Sequence, residues 1–405
     1  MEEKKLVPKR RFIGFREEWK TYNLGEKVEF FSGLTYSPND VVLNNGTLVI
    51  RSSNIKNNQI IDADNVFVDK NIVNSEQVRV GDIIVVVRNG SRDLIGKNAV
   101  VRKESPDTVI GAFMTGIRSK YYNFNYTLLN TKLFNKQVAE NLGATINQIT
   151  TGMFNKMVFN FPAIEEQQKI GEFFKVLDER IANQERKIAK VKALKSAYLT
   201  EMFPQEGEIV PKRRFKGFTE EWKYRKLSDL TELYVGNSFS SDINNKGKYV
   251  VMDMGSVSQE GYRLKQKRTN LKRDILNKDD LVMPKDDIGG GQIIGKTAHI
   301  NKNNSYVLGD HVFRLRFFDN EGLFMHYHIN SKPINLSLKK KVTGSAQLGI
   351  KSINVLNQYI TIPTIEEQQK IGSFFKNLDD QIATEEKKLE KLKKMKEAYL
   401  EEMFV

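Results

Sequence analysis

The chain has no cysteine in its 405 residues, which excludes a disulfide scaffold, a cysteine-built zinc site and a thiol nucleophile. That fits a reducing compartment, and the cytoplasm is the expected location. No apolar run approaches the roughly 18 residues needed to span a membrane. The opening Met1-Glu2-Glu3-Lys4-Lys5 is charged with no apolar stretch behind it, so neither a membrane partner nor a secretory leader is expected. Histidine is scarce, and His299, His311, His326 and His328 all lie in the second half. His326 and His328 alternate in what reads as a strand or loop, without carboxylates at metal-binding spacing, so a structural role is expected. Gly289-Gly290-Gly291 with Gly295 lacks phosphate-loop spacing, and no strand–GxGxxG–helix unit surrounds it. Nucleophile-elbow and amino-methyltransferase signatures are missing too. Asp286, Asp287 and Lys296 have no acidic counterpart in the first half and read as loop charges rather than a nuclease site. The chain is expected to be non-catalytic, with no metal site and no cofactor of its own.

What is present is said twice. Ile164–Phe203 aligns without a gap on Ile365–Phe404 with 26 identities in 40 positions, beginning with Ile-Glu-Glu-Gln-Gln-Lys-Ile-Gly in both. A second echo opens each half: Val7-Pro8-Lys9-Arg10-Arg11-Phe12 with Glu17-Glu18-Trp19-Lys20 returns as Val210-Pro211-Lys212-Arg213-Arg214-Phe215 with Glu220-Glu221-Trp222-Lys223. The resulting division is a globular domain over 1–162, a helix over 163–204, a second domain over 205–363 and a second helix over 364–405. Net charge is +14, but the two repeated segments together carry about −1. About +15 therefore falls on the remainder, where a polyanion is expected to sit.

The repeated segments read as coiled-coil helices. Ile170, Phe174, Leu177, Ile181, Ile188 and Val191 follow steps of four and three, as do Ile371, Phe375, Leu378, Ile382, Leu389 and Leu392. Leu194, Tyr198 and Met202 extend the first seam, and Met395, Tyr399 and Met403 the second. Gln184 and Glu385 interrupt the two seams at equivalent places, either as polar lapses near solvent or as register markers. Thr364 with Glu367 reads as a capping box, whereas Ala163 leaves the first helix start less well fixed. Because each helix follows its own globular part, the simple closed arrangement is an antiparallel pair. Acid-heavy first halves and a basic second half of the first helix agree with that polarity. Roughly 36 helical residues at 1.5 Å each give a rod of about 55 Å as an upper limit on how far apart it holds the domains.

Between the repeats, Ser32–Phe161 and Ser238–Ile362 share only scattered positions, among them Gly33 with Gly236 and Leu94–Ala99 with Ile293–Ala298. Short β-rich runs such as Asp82–Arg88, Val66–Val68 and Tyr359–Ile362 are punctuated by Gly and Asn, so the fold class is α+β: two mixed domains and two long helices. In both halves a strand runs into a polar loop before Gly-Lys. Arg88, Asn89, Arg92 and Lys97 are the first-half candidates for DNA contacts there, and Lys285, Gln292 and Lys296 the second-half ones. A later loop, Gly143–Gln148, is matched by Gly344–Lys351 and adds Gln148, Gln347 and Lys351.

Pro162–Ile170 and Pro363–Ile371 share Pro-x-Ile-Glu-Glu-Gln-Gln-Lys-Ile ahead of a long helix. With the half-openings Trp19…Leu24-Gly25-Glu26 and Trp222…Leu227-Ser228-Asp229 and two unlike basic domains, the chain resembles a specificity subunit of a Type I restriction–modification enzyme over nearly its whole length. That resemblance implies a target-recognition domain in each half reading one part of a split double-stranded DNA sequence. It also implies helices that set the spacing and dock two copies of a DNA methyltransferase subunit. S-adenosylmethionine, ATP and Mg are then expected in the methyltransferase and restriction/translocase partners. A coiled-coil scaffold that assembles partners without reading DNA is the rival, and charge concentrated outside the helices argues against it.

Overall fold

Each half opens with a short strand that its own last strand completes: Lys20–Asn23 pairs antiparallel with Val158–Phe161, and Lys223–Lys226 with Tyr359–Ile362. The computed structural model describes residues 5–142, 147–264, 267–344 and 347–405. Its helices are α1 (Tyr122–Leu128), α2 (Lys132–Asn141), α3 (Thr151–Lys156), α4 (Ile164–Glu201), α5 (Gly322–Asn330), α6 (Lys332–Lys339), α7 (Ser352–Leu356) and α8 (Ile365–Glu402). Two compact units result: Met1–Glu185 with Lys388–Val405, and Arg186–Lys387. Both divisions fall inside a long helix, so each unit holds the front of its own helix and the tail of the other.

The first unit contains a four-stranded antiparallel sheet in the order Glu29–Ser32, Met114–Arg118, Ile83–Val86, Asn98–Val100. A second sheet adds a parallel pair, Thr108–Ile110 beside Thr47–Ile50. The second unit repeats this frame: Thr231–Val235, Val312–Phe317, Leu281–Pro284 and Ala298–His299 form the antiparallel sheet, and Tyr249–Met252 runs parallel to Tyr306–Leu308. The matched glycines now have a cause. A Cβ on Gly33 would sit 2.0 Å from the Gly111 carbonyl oxygen, and one on Gly236 1.7 Å from that of Gly309. In both units the backbone crosses too closely for any side chain.

Aromatic residues close each core across long sequence distances. Trp19 packs edge-on against Phe404 with centroids 5.9 Å apart, and Phe404 stacks on Phe124 at 5.6 Å. In the second unit Trp222 meets Phe203 at 6.4 Å, and Phe203 stacks on Phe375 at 5.7 Å. The Glu-Met-Phe that ends each repeat is therefore a core plug.

Within each unit the helix segments run antiparallel. In the first, Phe173 meets Tyr399 at 5.2 Å, Asp178 pairs with Lys396 at 2.6 Å and Glu185 with Lys393 at 2.6 Å. In the second, Lys187 pairs with Glu385 at 2.9 Å, Lys195 with Asp379 at 2.5 Å, and Tyr198 meets Phe374 at 5.1 Å. Ile170, Phe174, Leu177, Ile188, Ile371, Phe375, Leu378 and Ile382 are buried, while Ile181, Val191, Leu389 and Leu392 are half-buried. Leu194 departs from the expected seam: it is 46% exposed, and the following Lys195 turns inward to Asp379 instead. Glu385 is buried against Lys187, so its break in the seam carries a specific ion pair rather than a lapse at the solvent edge.

The shared openings and the shared motif prove to be halves of one clamp. Arg11 donates from Nε and Nη2 to the two carboxylate oxygens of Glu166, both at 2.7 Å, and Arg214 holds Glu367 in the same bidentate way at 2.9 and 2.6 Å. Thr364 does begin α8, its carbonyl accepting from the Gln368 N–H at 3.0 Å, but Glu367 is drawn to Arg214 instead of completing the expected capping box. The next residue completes the start: Gln167 Nε2 donates to the Pro162 carbonyl at 2.9 Å and Gln368 Nε2 to that of Pro363 at 3.0 Å. The preceding arginines reach the far helix ends, Arg10 to Glu402 and Arg213 to Glu201, both at 2.5 Å. Gly171 ends the motif because a Cβ there would lie 2.7 Å from the Phe124 amide nitrogen. A Cβ on Gly372 would lie 3.0 Å from that of Phe324.

His326 and His328 lie on α5, not on a strand or loop. His326 Nδ1 bonds Thr297 Oγ1 at 3.1 Å, and the His328 ring stacks on Phe203 at 4.8 Å. Burial pushes the His328 imidazole down to about 3. Among the described residues no group of three or more His, Cys, Asp or Glu has metal-binding geometry, and no helix is long and apolar enough to cross a membrane.

Candidate nucleic-acid interface

The first candidate loop leaves the central strand Ile83–Val86 at Val87, whose N–H donates to the Phe113 carbonyl at 3.0 Å. Arg88 then bridges the backbone of Gln148, and the Ile149 N–H donates to the Val87 carbonyl at 2.9 Å. The two loops singled out in the sequence thus meet. Asn147 Nδ2 bonds the Gly90 carbonyl at 3.2 Å, and Arg92 Nη2 bonds that of Leu142 at 3.0 Å. Asn89 is spent on architecture: its Oδ1 accepts from the Ser91 N–H at 2.9 Å and its Nδ2 donates to Ser52 Oγ at 3.1 Å. Arg88 is exposed with its guanidinium 5.0 Å from the centroid of Phe113, itself 54% exposed. Lys97 is exposed and Gln148 half-buried. Gly143–Ile146 lie outside the described residues.

The second unit repeats this joint. Lys285 N–H donates to the His311 carbonyl at 3.0 Å, Ile350 N–H donates to the Lys285 carbonyl at 2.8 Å, and Asp286 pairs with Gly349 and Asp287 with Leu348. These bonds make Lys285 the equivalent of Val87 and Asp286 that of Arg88, one position on from the alignment suggested by the loop sequences. The glycine-rich stretch is no phosphate cradle. Buried Asp287 ties it shut, accepting from the Gly289 N–H at 2.6 Å and the Ile293 N–H at 3.1 Å. Gln292, Gln347 and Lys351 are exposed on these loops, and Lys285 is half-buried with Nζ 3.8 Å from Asp286. Ser345 and Ala346 lie outside the described residues.

Lys296 is placed apart from the others. Its amine donates to the Asn330 carbonyl at 3.2 Å, and burial, reinforced by Lys339, pushes it down to about 8. It braces the α5–α6 junction, while its counterpart Lys97 faces solvent. The residues missed from sequence are Phe113 and His311. Aligning Gly111-Ala112-Phe113-Met114 with Gly309-Asp310-His311-Val312 finds both, because each follows the glycine under the crossing strand.

The family model of the Type I restriction modification DNA specificity domain matches residues 16–193 and again 219–394. The chain belongs to this family. Among curated relatives of the Type I specificity family, the StySPI specificity subunit of Salmonella potsdam is 24% identical over 378 residues, covering 88% of this chain and 81% of its own. The EcoKI specificity subunit of Escherichia coli K12 is 24% identical over 389 residues with the same coverage. In fold, the Type I S subunit from M. genitalium superposes with a TM-score of 0.67 at 14% identity, covering 98% of this chain and 99% of that one. A chain from a structural study of Type I system assembly and conformational transition gives 0.52 at 18% identity, over 94% and 96%.

Proposed function

We propose that this chain is the non-catalytic sequence-reading subunit of a Type I restriction–modification complex, and that each unit reads one half of a split double-stranded DNA target. The observation that carries this reading is the joint between the two loops in each unit. Two frames of the same register present unlike polar loops at the same sheet position, the arrangement that two different half-sites require. Both curated relatives are named specificity subunits, which agrees with it. The shared clamps fix the helices whatever the loops read, so targets change without disturbing the frame. On this proposal the helices dock two copies of a DNA methyltransferase subunit and the complex recruits restriction/translocase subunits. S-adenosylmethionine, ATP and Mg are bound by those partners, and the complex works in the cytoplasm.

The test is titration, at fixed salt, of target and random duplexes with the chain assembled on its methyltransferase. Substituting Arg88 and Arg92 together is expected to relax one half-site, and Lys285 with Gln292 the other, at about 1–3 kcal/mol for each bidentate hydrogen-bond pair to a base that is removed. Equal weakening on target and random DNA would reduce these loops to phosphate binding and reject them as readers.

A further inference from the structure

The two reading loops differ most sharply at one equivalent position, and the difference is chemical. Met114 pairs with Val86 and Val312 with Pro284, so Phe113 lies across from Val87 and His311 across from Lys285, and the register places Arg88 and Asp286 alike, one residue beyond. In the first unit a guanidinium lies over an aromatic ring at 5.0 Å. The ring face fixes its plane without consuming N–H donors. In the second unit His311 Nδ1 holds Asp286 Oδ2 at 2.8 Å, which leaves Oδ1 for a donor from outside.

A carboxylate is repelled by phosphate, so on a DNA-facing loop its use lies with base edges. Resting on the reading above, we propose that Arg88 specifies a guanine in one half-site and Asp286 a cytosine in the other. A carboxylate only accepts hydrogen bonds. Cytosine presents its N4 amino group in the major groove, whereas guanine presents O6 and N7 and thymine O4, all acceptors that repel a carboxylate. Adenine sets the acceptor N7 beside its amino group, which disfavours it as well.

The test is selection from a pool of random-sequence duplex DNA by the chain assembled with its methyltransferase, followed by sequencing. Wild type is expected to return two half-sites. Asp286→Ala lowers a cytosine preference at one position by about 5- to 150-fold and leaves the rest intact. Asp286→Asn moves that preference to adenine, because a side-chain amide matches N6 and N7. Arg88→Ala relaxes a guanine in the other half-site only. Asp286→Arg with His311→Phe, which copies the first unit's pair, selects guanine. The half-site left unchanged in each variant shows that the protein is folded. The proposal is overturned if wild type yields its motif while Asp286→Ala changes no position, or changes one that is not cytosine. It is likewise overturned if the isosteric Asp286→Asn abolishes both half-sites, which makes the carboxylate structural. Wild type returning no motif overturns instead the DNA-reading function on which the proposal rests.

Discussion

Replacing Arg11 by alanine strands a carboxylate in the first unit. Glu166 is fully buried and Arg11 nearly so, with both hydrogen bonds at 2.7 Å, so water does not replace the lost guanidinium. Removing one member of such a pair costs about 3–5 kcal/mol, because the remaining charge stays desolvated. For a unit of about 200 residues that lowers the melting midpoint by roughly 10 °C. The assay is thermal and urea unfolding of the full chain, with Arg214→Ala as the matching lesion on Glu367 in the second unit. Arg11→Met combined with Glu166→Leu removes both charges and is expected to recover most of the loss. An Arg11→Ala protein within about 1 kcal/mol of wild type would refute the clamp. So would a double variant as unstable as the single one.

Gly171→Ala forces a methyl against the start of α1, 2.7 Å from the Phe124 nitrogen, and is expected to destabilise the first unit by about 1–3 kcal/mol in urea titrations, where Gly152→Ala at an open position does not. Between pH 6.5 and about 3 the unfolded chain binds a proton at His328 that the folded chain refuses, so stability falls as pH drops through that window. His328→Phe is expected to flatten this acid limb by up to about 1.4 kcal/mol per pH unit, measured as urea midpoints at pH 6, 5 and 4, and an unchanged slope would contradict it. Inserting one heptad after Ile188 and another after Leu389 keeps the seam in phase and adds about 10 Å of helix. Methylation mapping is then expected to show the spacer longer by about three base pairs with both half-sites unchanged, and an unaltered spacer in a folded, partner-bound variant would reject the helices as the ruler.

The helices were legible because a repeat and a heptad seam are local signals. Leu194 escaped because the pattern does not show that Lys195 has a carboxylate, Asp379, waiting on the other helix. The strands Val66–Val68 and Tyr359–Ile362 followed from β-branched and aromatic runs bounded by turns. His326 and His328 misled because the apolar stretch around them also suits a buried helix, and what decides it is the Glu321 side chain accepting from the Phe324 N–H at 2.5 Å. The clamps were visible only as repeated letters, since Arg11 and Glu166 are 155 residues apart and nothing local pairs them. In the candidate interface the loops were legible, but the joint between them and the partners Phe113 and His311 depend on sheet register. That register is why Asp286, rather than Lys285, stands where Arg88 does.

Mapping DNA methylation in cells that carry this chain with its cognate methyltransferase is the direct test of split-site reading. One motif is expected, made of two different short half-sites separated by a fixed run of unread bases, with exchange of residues 32–161 for a relative's altering one half-site alone. A single continuous motif, or an exchange that alters both half-sites together, would contradict it.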